Sequence, residues 1–324
     1  MMGIIRVLLI TLLSFYTLLG FFTYYLHSKI HIYTEAKKYI TANDDNICII
    51  AAHQDDGVIM AGGYAIQTMK KGGSVNIVYI FDGETGNGRK RNVTRMNESL
   101  NAWELAEVGK ENITFLDYDA YFGLIDKKKI ETCIEELAAL LKKNNYDVIF
   151  VPLYEGGHYK HDITNYMMSR AYLRSGVKGK LYECPEYNAY YSIKNTPEKF
   201  LSLISKLVPF YEYRSPPLFI RKDNRLYLDM SDKELALKRE MLQTFKTQDV
   251  EGLLNLYGYK DSYQIYSDYD YSKSPFDYEN SLAKYVNNLK TVPGLRYFLW
   301  WLFGKTKTRH PDPDFMITRI KVNE

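Results

Sequence analysis

Six histidines occur in the chain, and three of them, His53, His158 and His161, follow short apolar runs. The first run, Ile47-Cys48-Ile49-Ile50-Ala51-Ala52, ends in His53-Gln54-Asp55-Asp56-Gly57. The second, Val148-Ile149-Phe150-Val151-Pro152-Leu153, leads into Tyr154-Glu155-Gly156-Gly157-His158-Tyr159-Lys160-His161-Asp162. Taken singly, a histidine at such a place is a hydrogen-bonded structural residue, and Asp55-Asp56 is a helix cap. Taken together they form a different set, because two imidazoles and one carboxylate bind catalytic zinc and leave a coordination position for water. His53 and Asp56 can converge at one strand-to-helix turn, with His161 arriving from the second run. Asp55 then points elsewhere and can take a proton from the attacking water, while His158 on the rim can stabilise an oxyanion or protonate a departing amine. The chemistry these residue types and spacings point to is the hydrolysis of an amide.

Side chains so far apart in sequence meet only if the elements before them are neighbours. Both runs are apolar and β-branched without alternation, as buried parallel strands are, and helical patterns follow each. The ligand candidates therefore fall just past the carboxyl ends of two strands, the edge of an open α/β sheet where sites form. The rest of the chain supplies the alternation such a sheet needs. A helix is expected over Val58 to Met69, a strand over Ser74 to Phe81, a helix over about Val93 to Val108 and a strand over Ile113 to Leu116. An amphipathic helix follows with Ile130, Ile134, Leu137 and Leu141 on its buried face, and another runs from His161 to about Arg174. Strands over Lys180 to Cys184 and Tyr187 to Ser192 are expected to close the sheet, with a helix near Lys233 to Phe245 beyond them. The fold class read from this order is α/β, a Rossmann-like, mostly parallel sheet sandwiched by helices.

Charge is nearly balanced at +3, without a strong basic block, which argues against a nucleic-acid partner. The glycines at 83, 86 and 88 form neither a dinucleotide nor a nucleotide loop. Three cysteines, Cys48, Cys133 and Cys184, lie in or beside apolar patterns without zinc spacing and read as buried thiols. From Val7 to Leu26 no side chain is charged, the length of an uncleaved transmembrane anchor, while flanking Arg6 and Lys29, Lys37 and Lys38 leave the orientation open. The expected organisation is thus an anchor over 1–28, a linker over 29–45, a catalytic domain over 46–250 and a Tyr-rich extension over 251–324. The 30 tyrosines fit a carbohydrate-stacking surface, a membrane belt or ordinary packing. Tyr297-Phe298-Leu299-Trp300-Trp301-Leu302-Phe303 is too short to span a bilayer and reads as core or as an interfacial contact.

His53-Gln54-Asp55-Asp56-Gly57 resembles the AHPDDE motif of the PIG-L/LmbE-like deacetylases, and the stretch from Glu155 to Asp162 resembles their second, HxDH-type motif. The resemblance runs through Asp82-Gly83-Glu84 and the Arg95-Met96-Asn97-Glu98 helix to Lys238–Gln248, about residues 46 to 250. It implies a Zn2+-dependent enzyme on a Rossmann-like fold that removes the acetyl group from N-acetylglucosaminyl lipids or related amino sugars. Carried over by position, His53, Asp56 and His161 are the metal ligands, Asp55 the general base and His158 the transition-state partner. Three positions depart from the pattern: Gln54 stands for proline, Gly57 for glutamate and Lys160 for aspartate. Two further residues are candidate substrate contacts. Arg95 could bind sugar hydroxyls or merely pair with Glu98 at the surface, and Asp119 could touch substrate or be an ordinary loop carboxylate. The partners implied are an N-acetylated sugar or glycolipid and, through the anchor, a membrane. Another acylated small molecule, or a tethered glycan binder with a vestigial site, are the alternatives.

Overall fold

The computed structural model describes residues 3, 5–15, 17–18, 21, 38–83, 89–118, 127–154, 159–186, 225–257, 261–266 and 268–271. Five adjacent parallel strands form the larger part of one sheet: β2 (Asn46–Ala51), β3 (Ser74–Phe81), β4 (Ile113–Tyr118), β5 (Val148–Pro152) and β6 (Lys180–Cys184). With β1 (Tyr39–Ile40), β7 (Arg225–Leu228) and β8 (Ser262–Ile265), the order across the sheet is β1-β7-β8-β6-β5-β2-β3-β4. The helices are α1 (Asp56–Lys70), α2 (Arg89–Leu105), α3 (Lys127–Asn144), α4 (Tyr159–Ser175), α5 (Asp232–Gln243) and α6 (Val250–Tyr257).

Period-2 alternation of side chains divides β2 between two cores. Ile47, Ile49 and Ala51 join the apolar layer made with α1, α2 and α5, whereas Cys48, Ile50 and Ala52 join the layer made with α3 and α4. The buried face expected of the third helix is the observed one, since Ile130, Ile134, Leu137 and Leu141 all pack into the second layer. All three cysteines are buried and unpaired with one another. Burial pushes the Cys48 and Cys133 thiols up to about 12, which keeps them from acting as thiolates near neutral pH.

The sheet does not end where the sequence suggested. After β6 it gains β8, which runs antiparallel to both β6 and β7, while β1 pairs parallel with β7 at the edge. Residues from the expected linker and from the expected extension thus complete the sheet. A short antiparallel strand amid dense tyrosines carries little signal of its own, since its pairing partners are distant in sequence. The tyrosines it brings are packed inside. Tyr263 is 1% exposed and stacks on Tyr182, and Tyr271, equally buried, lies 4.9 Å from Tyr154 and 5.1 Å from Tyr166 between ring centroids. For these residues ordinary core packing wins over a glycan-stacking surface.

Helix α1 is broken in its middle, with Ala61 at φ −139° and ψ 20°. A break of this kind leaves a carbonyl and amides without helical partners. A buried ion pair supplies them. Lys238 Nζ of α5 donates to the Ile59 carbonyl at 3.1 Å, Asp261 Oδ2 accepts from the amides of Gly63 at 2.8 Å and Tyr64 at 3.3 Å, and Lys238 and Asp261 bind each other. Gly63 is required by this approach, since a Cβ there would stand 2.6 Å from the Met230 sulfur and 2.8 Å from Asp261 Oδ2.

At the amino terminus residues 5–15 are helical, and Val7, Leu8, Ile10 and Leu13 are each more than 60% exposed. No helix among the described residues is long and apolar enough to cross a membrane, and the anchor expected over Val7–Leu26 lies partly outside those residues. The strand expected over Tyr187–Ser192 and the aromatic run Tyr297–Phe303 also lie outside them.

Candidate metal centre

From β2 the chain passes through α1 to β3 and β4 on one side, then returns to β5 and β6 on the other. The crevice between β2 and β5 is therefore the point where strand order reverses, the place where open α/β sheets bind ligands. The two strands pair in parallel with Ile47 opposite Val148 and Ile49 opposite Phe150. Their carboxyl ends consequently deliver His53 and His161 to one spot.

His53 Nδ1 lies 2.9 Å from Asp56 Oδ2, His161 Nε2 lies 3.2 Å from the same oxygen, and the two ring nitrogens face each other at 3.2 Å. These are the three side chains among the described residues whose donor atoms gather closely enough to share a cation, all within 4.8 Å of one another. Asp56 is held in place by the His53 amide, which donates to Oδ2 at 2.7 Å. Burial pushes His53 down to about 3, with Lys160 and His161 adding to the fall and Asp56 opposing it, so its imidazole is neutral and its lone pair is available. Burial alone would push Asp56 up, but the pull of His161 and then His53 outweighs it and holds the carboxyl well below its usual range. Two lone-pair nitrogens and an ionised oxygen aimed at a common point fit a divalent cation such as zinc.

Asp55 occupies the N-cap position of α1, yet its side chain makes no capping hydrogen bond. It turns instead to Arg95 of α2, whose Nη2 donates to Asp55 Oδ1 at 2.8 Å while Nη1 donates to the Gly83 carbonyl at 3.0 Å. The surface pairing of Arg95 with Glu98 is not what the fold builds. Arg95 is 5% exposed, and Glu98 accepts from the Thr247 amide at 2.8 Å and its hydroxyl at 2.6 Å, fastening the turn after α5. Burial raises Asp55 above the usual carboxylate range, Arg95 pulls it back, and neighbouring Asp56 pushes it up. Were Asp55 the general base it would act deprotonated, and Arg95→Met, which removes the downward pull, would then move the acid limb of a kcat/KM–pH profile to higher pH. An unmoved limb would show that Arg95 does not govern Asp55.

The departures from the family pattern each have a local account. Gln54 does more than replace a stiff residue, since it is fully buried and its Nε2 donates to the Phe81 carbonyl at 3.1 Å, tying the turn to the end of β3. At Gly57 a Cβ would meet Trp103 and the Tyr79 hydroxyl at 3.2 Å, so these rings take the space a glutamate would need. Lys160 is buried with its ammonium 5.1 Å from the centre of the Phe81 ring.

The structure thus brings His53, Asp55, Asp56, Arg95 and His161 together. His158 and Asp119 lie outside the described residues. One residue escaped the sequence reading: Glu186, 2% exposed, whose Oε1 is 3.3 Å from His161 Nδ1. Its only signal was a carboxylate shortly after an apolar strand, which is too common to single out.

A search of curated proteins finds no match to the chain. Solved structures do resemble it. A triple mutant of a deacetylase involved in the teicoplanin biosynthetic pathway is 12% identical, with 69% of this chain and 99% of that one covered at a TM-score of 0.50. N,N'-diacetylchitobiose deacetylase from Pyrococcus horikoshii is 18% identical, with 68% and 83% covered and a TM-score of 0.40. The 4-carboxy-2-hydroxymuconate hydratase from Pseudomonas putida is 16% identical, with 71% and 98% covered and again 0.40. At such identities the likeness concerns the fold. Residues 48–172, the span that carries His53, Asp56 and His161, match the family model described as PIG-L, GlcNAc-PI de-N-acetylase.

Proposed function

We propose that the protein is a zinc-dependent N-deacetylase that hydrolyses the acetamide of an N-acetylated amino sugar. The observation that carries this reading is the meeting of His53 Nδ1, Asp56 Oδ2 and His161 Nε2, with the carboxylate of Asp55 beside them. The family description, a de-N-acetylase of a GlcNAc lipid, supports the class of substrate. His53, Asp56 and His161 hold the ion, which when bound supplies Lewis acidity for water and for the amide oxygen. Asp55, fixed by Arg95, accepts the proton as water oxygen bonds to the acetamide carbon. The C–N bond then breaks, the nitrogen gains a proton and leaves as the free amine, and acetate is the second product. His158, by its sequence position, is assigned the contact to the oxyanion or departing amine.

Metal content tests this without knowledge of the sugar. The full chain, purified with zinc and dialysed, is expected to retain about one ion, and His161→Ala to retain none. A folded parent that stays metal-free after zinc reconstitution would overturn the proposal.

We further propose that the amino-terminal helix sits in lipid, so that the enzyme meets a membrane-linked glycan. Its apolar side chains are exposed, and two of its hydroxyls are satisfied within the helix, Thr11 Oγ1 donating to the Val7 carbonyl at 2.9 Å and Thr17 Oγ1 to Leu13 at 2.8 Å. The full chain is expected to float with phosphatidylcholine vesicles in a density gradient, and a chain lacking residues 1–28 to remain below. Equal sedimentation of the two would remove the membrane from this account.

A further inference from the structure

At the end of β6, two residues past Cys184, Glu186 turns its carboxylate inward against the edge of the His161 ring opposite the nitrogen that faces Asp56. The strand pairing accounts for its position. β6 runs parallel to β5 with Cys184 opposite Pro152, so the chain leaving β6 opens on the same sheet edge as the turn that carries His161. A second glutamate of this strand has a different task. Glu183, fully buried, accepts from Asn165 Nδ2 at 2.8 Å, and the same amide nitrogen reaches the Pro152 carbonyl at 2.7 Å. Asn165 stands one helical turn beyond His161, so Glu183 fastens the helix whereas Glu186 reaches the ring itself.

We propose that Glu186 is a positioning residue of the metal centre, fixing the orientation and tautomer of His161. An imidazole has two nitrogens, and a carboxylate facing Nδ1 favours the proton there, which leaves the Nε2 lone pair for the cation. The added negative charge also makes the ring a stronger donor. Asp55, Asp56 and Glu186 are all buried around the histidine pair, opposed by Arg95, which is committed to Asp55, and by buried Lys160, so the balance of these charges is negative and favours a cation. This inference rests on the metal reading above.

The test is zinc affinity, measured on the metal-free full chain by competition with a chromophoric chelator, for the parent, Glu186→Gln, Glu186→Ala and His161→Ala. The dissociation constant is expected to rise about 10- to 100-fold in Glu186→Ala. The rise should be smaller in Glu186→Gln, whose amide oxygen can still face Nδ1. The visible bands of the cobalt-substituted protein should shift in both, while the unfolding temperature of metal-free Glu186→Gln stays that of the parent. A purely structural role would instead lower that temperature and leave the cobalt spectrum alone. Should Glu186→Ala not fold, Glu186→Gln decides by itself. Affinities within about twofold of the parent in the Glu186 variants, with binding lost in His161→Ala, would overturn the role of Glu186 and leave the metal reading intact. A parent that binds no zinc would sink both.

Discussion

Asp55→Asn is expected to keep its zinc and to lose amide hydrolysis by about 10²- to 10⁴-fold, the usual contribution of a positioned general base. Asparagine has nearly the shape of aspartate, and its oxygen can still accept from Arg95 Nη2, so the turn between β2 and α1 has no reason to move. Asp55 is also absent from the group of side chains that gathers on the metal position. Metal content and activity should therefore separate. Release of free amine from a panel of N-acetylated sugars, read beside zinc content, checks the outcome. A variant with full zinc and unchanged turnover would remove Asp55 from the base role, and loss of zinc would make it a ligand instead. Asp56→Asn offers the contrast, since Asp56 Oδ2 is the oxygen both histidines approach, and there metal and activity should fall together.

The second large effect lies away from the chemistry. Lys238→Met is expected to destabilise the fold by about 3–5 kcal/mol, because it strands Asp261 as a buried charge without its partner. Lys238 and Asp261 have side chains only 2% and 0% exposed, and between them they serve the carbonyl and amides left over at the break in α1. The double variant Lys238→Met/Asp261→Asn should recover part of the loss, since it removes the lone charge and keeps an oxygen for the amides of Gly63 and Tyr64. Denaturant unfolding of the metal-free chains measures both. A loss under about 1 kcal/mol in the single variant would show that the pair behaves as a solvated surface bridge. The consequence for function is indirect. α1 begins at Asp56, of the candidate metal group, and the far half of this helix is fastened to the sheet through β8 and α5.

Local pattern was enough to expose the strand-end ligand candidates. The apolar runs of β2 and β5 read as buried strands wherever they occur, and the histidines and aspartates after them stand out because few histidines lie elsewhere in the chain. The buried stripe of α3 and the start of α1 were legible for the same reason: each is set by neighbours within a few residues. What the amino-acid sequence determined by itself was therefore the α/β order and the identity of His53, Asp55, Asp56 and His161. Tertiary structure alone decided their supports. Arg95 was ambiguous until α2 packed beside the α1 turn, and Glu186 was ordinary until β6 paired with β5. Lys238 and Asp261, 23 residues apart, found their meaning only where α1 breaks. The tyrosines of β8 and the residues after it became core because a strand from far along the chain entered the middle of the sheet. A buried charge has no periodicity to betray it. Its stability depends on a partner brought from elsewhere by the fold, and only that contact says whether the residue orients a ligand, tunes a base or mends a helix.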